Sequence, residues 1–243
     1  NLVEAIPFST IQFHPSRLDE PLRWRKPQRV LVCSMGDLFH ENVNTEWIYY
    51  VFEVMMGEPR HVYMLLTKRP ERARKLMKGV VCGVDPRFRP HIWLGVSVEN
   101  QQTADERIPI LLQTLAAKRF VSVEPCLSRV DLTRWLGEPH QCADCGHECR
   151  HDQRPYDQKQ NRSCPACGSP YCSDSCEGLD WVICGAESGP HRRPCDIDWI
   201  KSLRDQCVAA GTPLFVKQAD IDGKLVKMPL IDGRVWDQMP EGR

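Results

Sequence analysis

Four cysteines in two closely spaced pairs form the clearest chemical pattern in this chain of 243 residues. Cys142-x-x-Cys145 is followed, after 18 intervening residues, by Cys164-x-x-Cys167. Two residues between cysteines let one tight turn direct both thiolates at a single ion, and two such turns complete a tetrahedron. The spacing therefore predicts a structural Zn²⁺ site in a small zinc-ribbon-like module.

Three further cysteines, Cys149, Cys172 and Cys176, lie close to these pairs in the sequence. They are compatible with a second metal site, with substitution in the first site, or with a disulfide. The close spacing of Cys164, Cys167, Cys172 and Cys176 also allows iron–sulfur ligation. Because cysteines clustered in pairs are typical of a metal site rather than of a secreted disulfide scaffold, we expect a reducing compartment, the cytoplasm.

Charged side chains follow the ends of six predicted strands, and these are the candidate catalytic residues: Asp37, Lys68, Glu99, Glu124, Glu187 and Lys217. The carboxyl ends of strands form the ligand-binding face of parallel α/β folds, so we expect the six side chains to line one pocket. Glu99 or Glu124 is expected to bind a cofactor ribose or amino group. Lys68 or Lys217 is expected to bind an anionic group.

A glycine-flanked turn, Gly185-Ala-Glu187-Ser188-Gly189, directly follows one of these strands. Glycines let backbone N–H groups approach a ligand closely, so Gly185, Glu187, Ser188 and Gly189 are candidate cofactor-binding residues. The turn matches neither a dinucleotide fingerprint nor a phosphate-binding P-loop.

Two local basic clusters lie near the expected pocket: Lys68-Arg69 with Arg72 and Arg74, and His191-Arg192-Arg193. They could bind phosphates or a nucleic-acid backbone, or they could be ordinary solvated helix faces. The zero net charge, from 32 basic and 32 acidic residues, argues against tight nonspecific DNA binding.

Short apolar runs alternate with amphipathic segments and are expected to position these residues. The predicted strands are Arg29–Ser34, Val62–Thr67, Ile92–Val98, Arg119–Val123, Trp181–Gly185 and Pro213–Val216, with a weaker one at Phe8–His14. The predicted helices are Thr45–Gly57, Arg69–Lys78, Thr103–Leu115 and Ile197–Ala210. Nearly continuous apolar strands are typical of parallel sheets covered on both faces.

This alternation predicts an α/β fold, either an open doubly wound sheet or a (β/α) barrel, partial or TIM-like. Polar residues after every strand favour the barrel, because an open sheet concentrates function at one switch point. The polar, cysteine-rich stretch from 136 to 178 cannot be a β/α unit. We therefore expect a barrel in two parts, 1–135 and 179–243, with residues 136–178 as a zinc-binding insertion.

Composition excludes several protein classes. Hydrophobic residues make up 42 % and charged residues 26 %, so neither a disordered tail nor a polybasic coat protein is expected. No run approaches the ~20 apolar residues of a membrane span. The first residues, NLVEAIPFST, do not form a signal peptide, and we expect the sequence to begin inside a longer natural chain.

Several segments together resemble a family of uncharacterised bacteriophage and prophage proteins catalogued as a domain of unknown function: Leu18–Trp24, Val32–Val43, Leu65–Arg72, Trp93–Leu112, Arg119–Leu127, Leu179–Pro194 and Ser202–Gln218. Members of that family carry an N-terminal three-cysteine motif similar to the cluster-binding loop of radical S-adenosylmethionine enzymes, which use a partial (β/α) barrel. The sequence as given starts after that motif. Cys142, Cys145 and Cys149 have the reverse spacing and belong to the insertion.

The resemblance implies a phage-encoded barrel metalloenzyme of the radical S-adenosylmethionine type in the bacterial cytoplasm, modifying a nucleobase or nucleic acid. S-adenosylmethionine and a 4Fe–4S cluster are implied if an N-terminal segment carrying the motif exists. One alternative is a non-radical barrel enzyme, such as a base-exchanging transglycosylase with paired carboxylates. Another is a non-catalytic zinc module that binds nucleic acid or a partner protein.

Overall fold

Strands and helices alternate along the chain, as the sequence pattern predicts. The computed structural model describes residues 10–80, 89–137, 140–141, 145, 148–149, 166 and 178–240. The strands are β1 (Arg29–Val32), β2 (Val62–Thr67), β3 (Ile92–Val98), β4 (Lys118–Val123), β5 (His140–Gln141), β6 (Glu148–Cys149), β7 (Trp181–Gly185), β8 (Leu214–Ile221), β9 (Lys224–Lys227), β10 (Leu230–Ile231) and β11 (Arg234–Val235). The helices are α1 (Pro15–Leu18), α2 (Glu20–Arg23), α3 (Thr45–Gly57), α4 (Pro70–Val80), α5 (Gln101–Leu112) and α6 (Ile197–Ala210).

Within the described ranges, seven strands form one sheet in the order β1-β2-β3-β4-β7-β8-β9. The first six pair in parallel, and β9 returns antiparallel to β8. The sheet curls into a half-barrel. The predicted mixed α/β fold with a mostly parallel, partly closed sheet is confirmed at this level.

The longer helices begin and end at residues suited to those positions. The Asn44 side chain accepts a hydrogen bond from the Glu46 N–H (2.9 Å) at the start of α3, and Asn100 forms a reciprocal capping box with Thr103 at the start of α5. Helix α6 ends at Ala210 and is capped by Gly211, whose φ of 71° is left-handed and favours glycine. Helices α3 and α6 have the predicted bounds.

One face of the sheet packs against the helices and forms the main core. On β3 the alternate residues Ile92, Leu94, Val96 and Val98 belong to this core, with Phe52 and Leu203 among its helical members. We call the opposite face the inner face. The two-residue period of a strand therefore assigns every second residue of the sheet to the inner face.

The weak strand predicted at Phe8–His14 is wrong over its described part. Residues 10–14 form no strand, and residues 8 and 9 lie outside the described ranges. Phe13 stacks on Trp47 of α3, with ring centroids 5.1 Å apart. The apolar residue thus covers a helix rather than alternating along a strand.

Two C-terminal hairpins, β8–β9 and β10–β11, were not predicted. Each turns at an Asp-Gly dipeptide, Asp222-Gly223 and Asp232-Gly233, and all four residues have positive φ. Asp-Gly between short apolar runs is a strong signal for a two-residue hairpin turn. Both hairpins could therefore have been predicted from these two Asp-Gly dipeptides.

The cysteine-rich insertion leaves and rejoins the half-barrel at one place. A Cβ atom on Gly178 would lie 2.6 Å from the Gly137 nitrogen, and the Leu179 N–H donates to the Trp135 carbonyl at 2.8 Å. We call Gly137 and Gly178 the neck. Both ends of the intervening segment are thus held side by side.

None of the helices that the structure describes is long and apolar enough to cross a membrane.

Candidate functional site

Four aromatic rings cover the inner face near the amino ends of the strands. Trp181 contacts Trp93, Phe120 and Phe215, with ring centroids 6.2, 5.7 and 6.1 Å away. Phe120 lies over Gly95, its register partner on β3, where an added Cβ would come within 2.4 Å of the ring. These four rings, which we call the floor, fill this end of the half-barrel.

Small residues follow the floor toward the carboxyl ends. Ser97 and Ser122 are register partners at the next inner-face position, and Gly185 follows on β7. A Cβ on Gly185 would lie 3.5 Å from the Glu124 carboxyl carbon. Small residues on β3 and β4 thus separate the floor from the charged strand ends, whereas on β7 Ile183, the register partner of Ser122, packs against the floor.

The charged residues at these strand ends form ion pairs, and six of them, which we call the rim, are Lys68, Glu99, Glu124, Glu187, Arg193 and Lys217. Val98 and Val123 are register partners, so Glu99 and Glu124 follow them side by side on adjacent strands. The predicted convergence of these two carboxylates at one edge of the sheet agrees with this register.

Glu99 is held between two cations. Lys68 Nζ lies 2.5 Å from one carboxylate oxygen, and Arg107 donates to the other at 3.0 Å. Arg107 also donates to the Ser97 carbonyl at 2.6 Å. The Glu99 side chain is 13 % exposed and that of Lys68 52 %, so the carboxylate is recessed beneath an exposed ammonium.

Glu124 repeats this arrangement on the next strand. Lys217 Nζ donates to its carboxylate at 2.7 Å, and the exposed fractions of the two side chains are 55 % for Lys217 and 20 % for Glu124. Lys217 is the extra residue where the β7–β8 register shifts, since Cys184 pairs with Val216 and Gly185 with Gln218. Such a bulge redirects a side chain, and bulges are over-represented beside active sites.

Glu187 and Arg193 form the third rim pair. The Arg193 guanidinium donates to both Glu187 oxygens, at 2.7 and 2.8 Å, and the Arg193 N–H donates at 2.7 Å. These bonds lower the pKa of Glu187 to about 2. The hydrogen bonds to Glu187, and also the charges of Glu187 and Glu99, raise the pKa of Arg193.

Asp37, the remaining candidate catalytic residue, has a positioning role in the structure. Its carboxylate accepts hydrogen bonds from the Thr67 hydroxyl (2.8 Å), the Lys68 N–H (3.0 Å) and the Arg69 guanidinium (3.1 Å). It also accepts from the Phe39 N–H. Asp37 therefore ties the loop after β1 to the end of β2.

Some backbone groups of the glycine-flanked turn form hydrogen bonds within the protein. The Gly185 carbonyl accepts from the Cys126 N–H at 2.9 Å, and the Ala186 N–H donates to the Gln218 carbonyl at 3.0 Å. Ser188 and Gly189 are exposed, and Gly189 has a φ of 108°. Of the predicted cofactor-binding residues, these two therefore face solvent.

Several arginines of the basic clusters have partners within the protein. Arg69 pairs with Asp37 and Glu41, and Arg72 donates to the carbonyls of His40 and Val43. Arg192 lies 3.6 Å from Asp220. A phosphate at these positions would compete with an acidic or carbonyl partner.

Two features of the site were not predicted. Arg107, which fixes Glu99, lies on the face of α5 that also carries Ala104 and Leu111. A charged residue on the buried face of a predicted helix was the sequence feature that could have indicated this role for Arg107. The other feature is Cys33, which follows β1 with a φ of 55° and is exposed at the same edge.

Most of the predicted zinc ligands lie outside the described residues: Cys142, Cys164, Cys167, Cys172 and Cys176. Cys145 is exposed, and Cys149 belongs to β6, which pairs antiparallel with β5. Among the described residues, no group of three or more His, Cys, Asp or Glu side chains could hold a metal ion.

A family model described as "Protein of unknown function (DUF5131)" matches residues 3–240, nearly the whole chain. No curated protein and no solved structure matches the chain.

Proposed function

Since the chain belongs to the DUF5131 family, whose function is not established, we propose its function from the rim: an enzyme of the radical S-adenosylmethionine type that acts on a nucleobase or nucleic acid. The observation that carries the proposal is the pair of recessed carboxylates, Glu99 and Glu124, each covered by an exposed lysine. A phage origin is part of the proposal.

The rim matches the polarity of S-adenosylmethionine. Carboxylates accept hydrogen bonds from an ammonium group and from ribose hydroxyls, so Glu99 and Glu124 would hold the amino end or the ribose. Lys68 Nζ and Lys217 Nζ keep further N–H donors for the carboxylate of the ligand or for a substrate phosphate. The hydrogen bond from Arg107 fixes the orientation of the Glu99 carboxylate, so this part of the rim is preorganised.

The described residues do not fit an iron–sulfur cluster, because no group of three suitable ligands lies together among them. We therefore assign no step through a cluster. The structural zinc site at Cys142, Cys145, Cys164 and Cys167, with Cys149, Cys172 and Cys176 as a second possible set, stays a proposal. The β5–β6 hairpin, whose strands flank the first cysteine pair in the sequence, supports it.

Calorimetric titration of S-adenosylmethionine tests the rim. We expect binding to the unmodified protein and a loss of affinity of about tenfold or more in Glu124→Gln and in Glu99→Gln, because each removes a charge-assisted contact. Lys201→Met on α6 is the control and should bind normally. Absence of binding, or affinity unchanged in both glutamine variants, would overturn the assignment.

Metal analysis of anaerobically purified protein separates the proposed chemistry from its main alternative. Zinc together with iron supports the radical enzyme. The adjacent carboxylates Glu99 and Glu124 also suit a base-exchanging transglycosylase, which would be colourless and active with zinc alone.

The remaining alternative is a non-catalytic module that binds nucleic acid or a partner protein. It predicts that deletion of residues 138–177 abolishes binding while rim substitutions have no effect. The same variants therefore discriminate this alternative from the enzyme.

A further inference from the structure

The ion pair between Glu124 and Lys217 crosses a strand that supplies neither residue. Glu124 follows β4 and Lys217 lies on β8, and β7 runs between these two strands in the sheet. Neighbouring strands lie about 4.8 Å apart, so the backbones that carry the two side chains are about 10 Å apart. Lys217 Nζ nevertheless donates to the Glu124 carboxylate at 2.7 Å, so the two side chains meet over β7. The residue of β7 at that level therefore decides whether the ion pair can form.

Gly185 is the residue of β7 at that level. The register of β4 and β7 places Glu124 beside it on one side, and Gln218 is its register partner on β8. A Cβ atom on Gly185 would lie 3.5 Å from the Glu124 carboxyl carbon and 3.5 Å from Gln218 Cγ. One methyl group fits this gap in ordinary contact. The two branches of a valine extend about 1.5 Å further and would displace at least one of the flanking side chains.

Gln218 holds the backbone irregularity that turns Lys217 toward the rim. Gln218 is 3 % exposed, and its Nε2 donates to the Ala186 carbonyl at 2.7 Å. The Ala186 N–H in turn donates to the Gln218 carbonyl at 3.0 Å. These two bonds fasten Gln218 to the end of β7 directly after the extra residue of the β7–β8 register. They therefore hold the bulge, and with it the direction of the Lys217 side chain.

We propose that Gly185 and Gln218 are positioning residues of the rim. Gly185 leaves the space in which the ion pair crosses β7, and Gln218 keeps Lys217 within reach of Glu124. Both residues act on a ligand through the Glu124 carboxylate rather than by touching the ligand. The effect on ligand binding rests on the proposed function of the rim, whereas the dependence of the ion pair on these two residues does not.

NMR of the lysine ammonium groups tests the positioning role of Gly185 without a ligand. In the unmodified protein we expect the Lys217 ammonium hydrogens to exchange with water more slowly than those of the exposed Lys224, because Lys217 donates to a carboxylate. Gly185→Val should bring the Lys217 exchange rate to that of Lys224, and Gly185→Ala should change it less. Gly57→Val is the control and should leave the Lys217 rate unchanged, since a Cβ on Gly57 meets nothing within 4 Å.

Gln218→Met tests the same ion pair without introducing a clash over β7. Methionine is an unbranched side chain of similar length but has no donor for the Ala186 carbonyl, so we expect faster exchange of the Lys217 ammonium hydrogens. An unchanged far-ultraviolet signal would show that the fold is retained. This variant decides the question should Gly185→Val fail to fold. Slow Lys217 exchange retained in either Gly185→Val or Gln218→Met would overturn the proposal.

Titration of S-adenosylmethionine tests the consequence for ligand binding. We expect Gly185→Val to lower the affinity about fivefold or more in the unmodified background, and by less in a Lys217→Met background, where the ion pair is already absent. Equal losses in the two backgrounds would show that Gly185 does not act through the ion pair and would overturn its positioning role. Expected ammonium exchange in every variant, without binding to any of them or to the unmodified protein, would contradict the proposed function alone.

Discussion

Lys217 shows how one residue of irregular backbone shapes the rim. It is the extra residue in the β7–β8 register, and its ammonium reaches Glu124 on the strand beyond β7. A regular strand would turn every second side chain to the same face, so a bulge changes which residue reaches the edge. The electrostatics of the rim thus depend on one local departure from regular pairing.

Glu187 provides a direct test of the rim ion pairs. Its pKa is held at about 2 in the folded protein, against an ordinary value of 4.5, by the hydrogen bonds from Arg193. Because the folded value is depressed, the stabilisation from this pair is present above pH 4.5 and is lost as the pH falls toward 2. We expect a carbon-detected NMR titration of the Glu187 carboxyl to show a midpoint near 2.

In Arg193→Met the midpoint of the Glu187 titration should rise toward its ordinary value. The substitution removes the two guanidinium donors and weakens the hold on the third donor, the backbone N–H of residue 193. Arg192→Met is the neighbouring control and should leave the Glu187 midpoint unchanged. A Glu187 midpoint that does not respond to Arg193→Met would show that the pair does not form in solution.

Gly95 tests the packing of the floor. A Cβ at this position would lie 2.4–2.5 Å from the Phe120 ring, which is itself packed against Trp181. We expect Gly95→Ala to lower the free energy of unfolding by about 1–3 kcal/mol, as overpacking typically does. Denaturant unfolding measures the change.

Gly57→Ala is the matched control, because a Cβ on Gly57 would meet nothing within 4 Å and the residue is the last of α3. It should leave stability unchanged or raise it by up to about 1 kcal/mol. Equal effects of the two substitutions would contradict the close approach of Phe120 to Gly95.

At the scale of elements, the sequence predicted most of the sheet because its signals are local. Continuous apolar runs indicated the six parallel strands, and the helix starting after Asn44 and the stop at Gly211 follow from capping chemistry. Asp222-Gly223 carried an equally local turn signal for the missed hairpin. The Phe8–His14 prediction failed because Phe13 packs against Trp47, a tertiary contact that periodicity does not encode.

The rim was only partly predictable from the sequence. Strand ends indicated which charged residues reach one edge, but Lys217 pairs with Glu124 across 93 positions of sequence. The role of Arg107 depends on which way a helix faces, and Asp37 was interpreted as a pocket residue although its oxygens are engaged by backbone and side-chain donors. Such contacts arise from the register and curl of the sheet rather than from local pattern.

The neck indicates that the half-barrel can fold without residues 138–177. Because Gly137 and Gly178 are in contact, deletion of residues 138–177 with direct joining of these glycines should preserve the half-barrel. We expect a single cooperative unfolding transition and an unchanged far-ultraviolet signal per residue of the barrel. Deletion from 130 is the control and should unfold the protein, because Val130, Leu132 and Trp135 are buried. A shortened chain that fails to fold would show that the insertion supports the barrel.

At the scale of the whole molecule, basic and acidic residues balance, and the rim cations are individually paired with carboxylates. The protein should therefore bind nucleic acid with only a moderate dependence on salt, set by the few exposed rim cations. The rim has three exposed cations: Lys68, Arg193 and Lys217. For single-stranded DNA each cation contributes roughly −0.7 to the slope of the logarithm of the association constant against the logarithm of the salt concentration, so we expect a slope of about −2.

Fluorescence anisotropy with labelled single-stranded DNA between about 50 and 200 mM salt measures this slope. Lys217→Met should make it shallower by roughly 0.7, whereas Lys201→Met on α6 should not alter it. A much steeper slope, unaffected by rim substitutions, would place the nucleic-acid contact elsewhere on the chain.

The neck also bears on how such a chain can evolve. Segments that begin and end at one point can be gained, lost or exchanged by recombination without reordering the strands around them. We therefore expect related chains to differ in length mainly between Gly137 and Gly178, and to keep the strand order of the half-barrel.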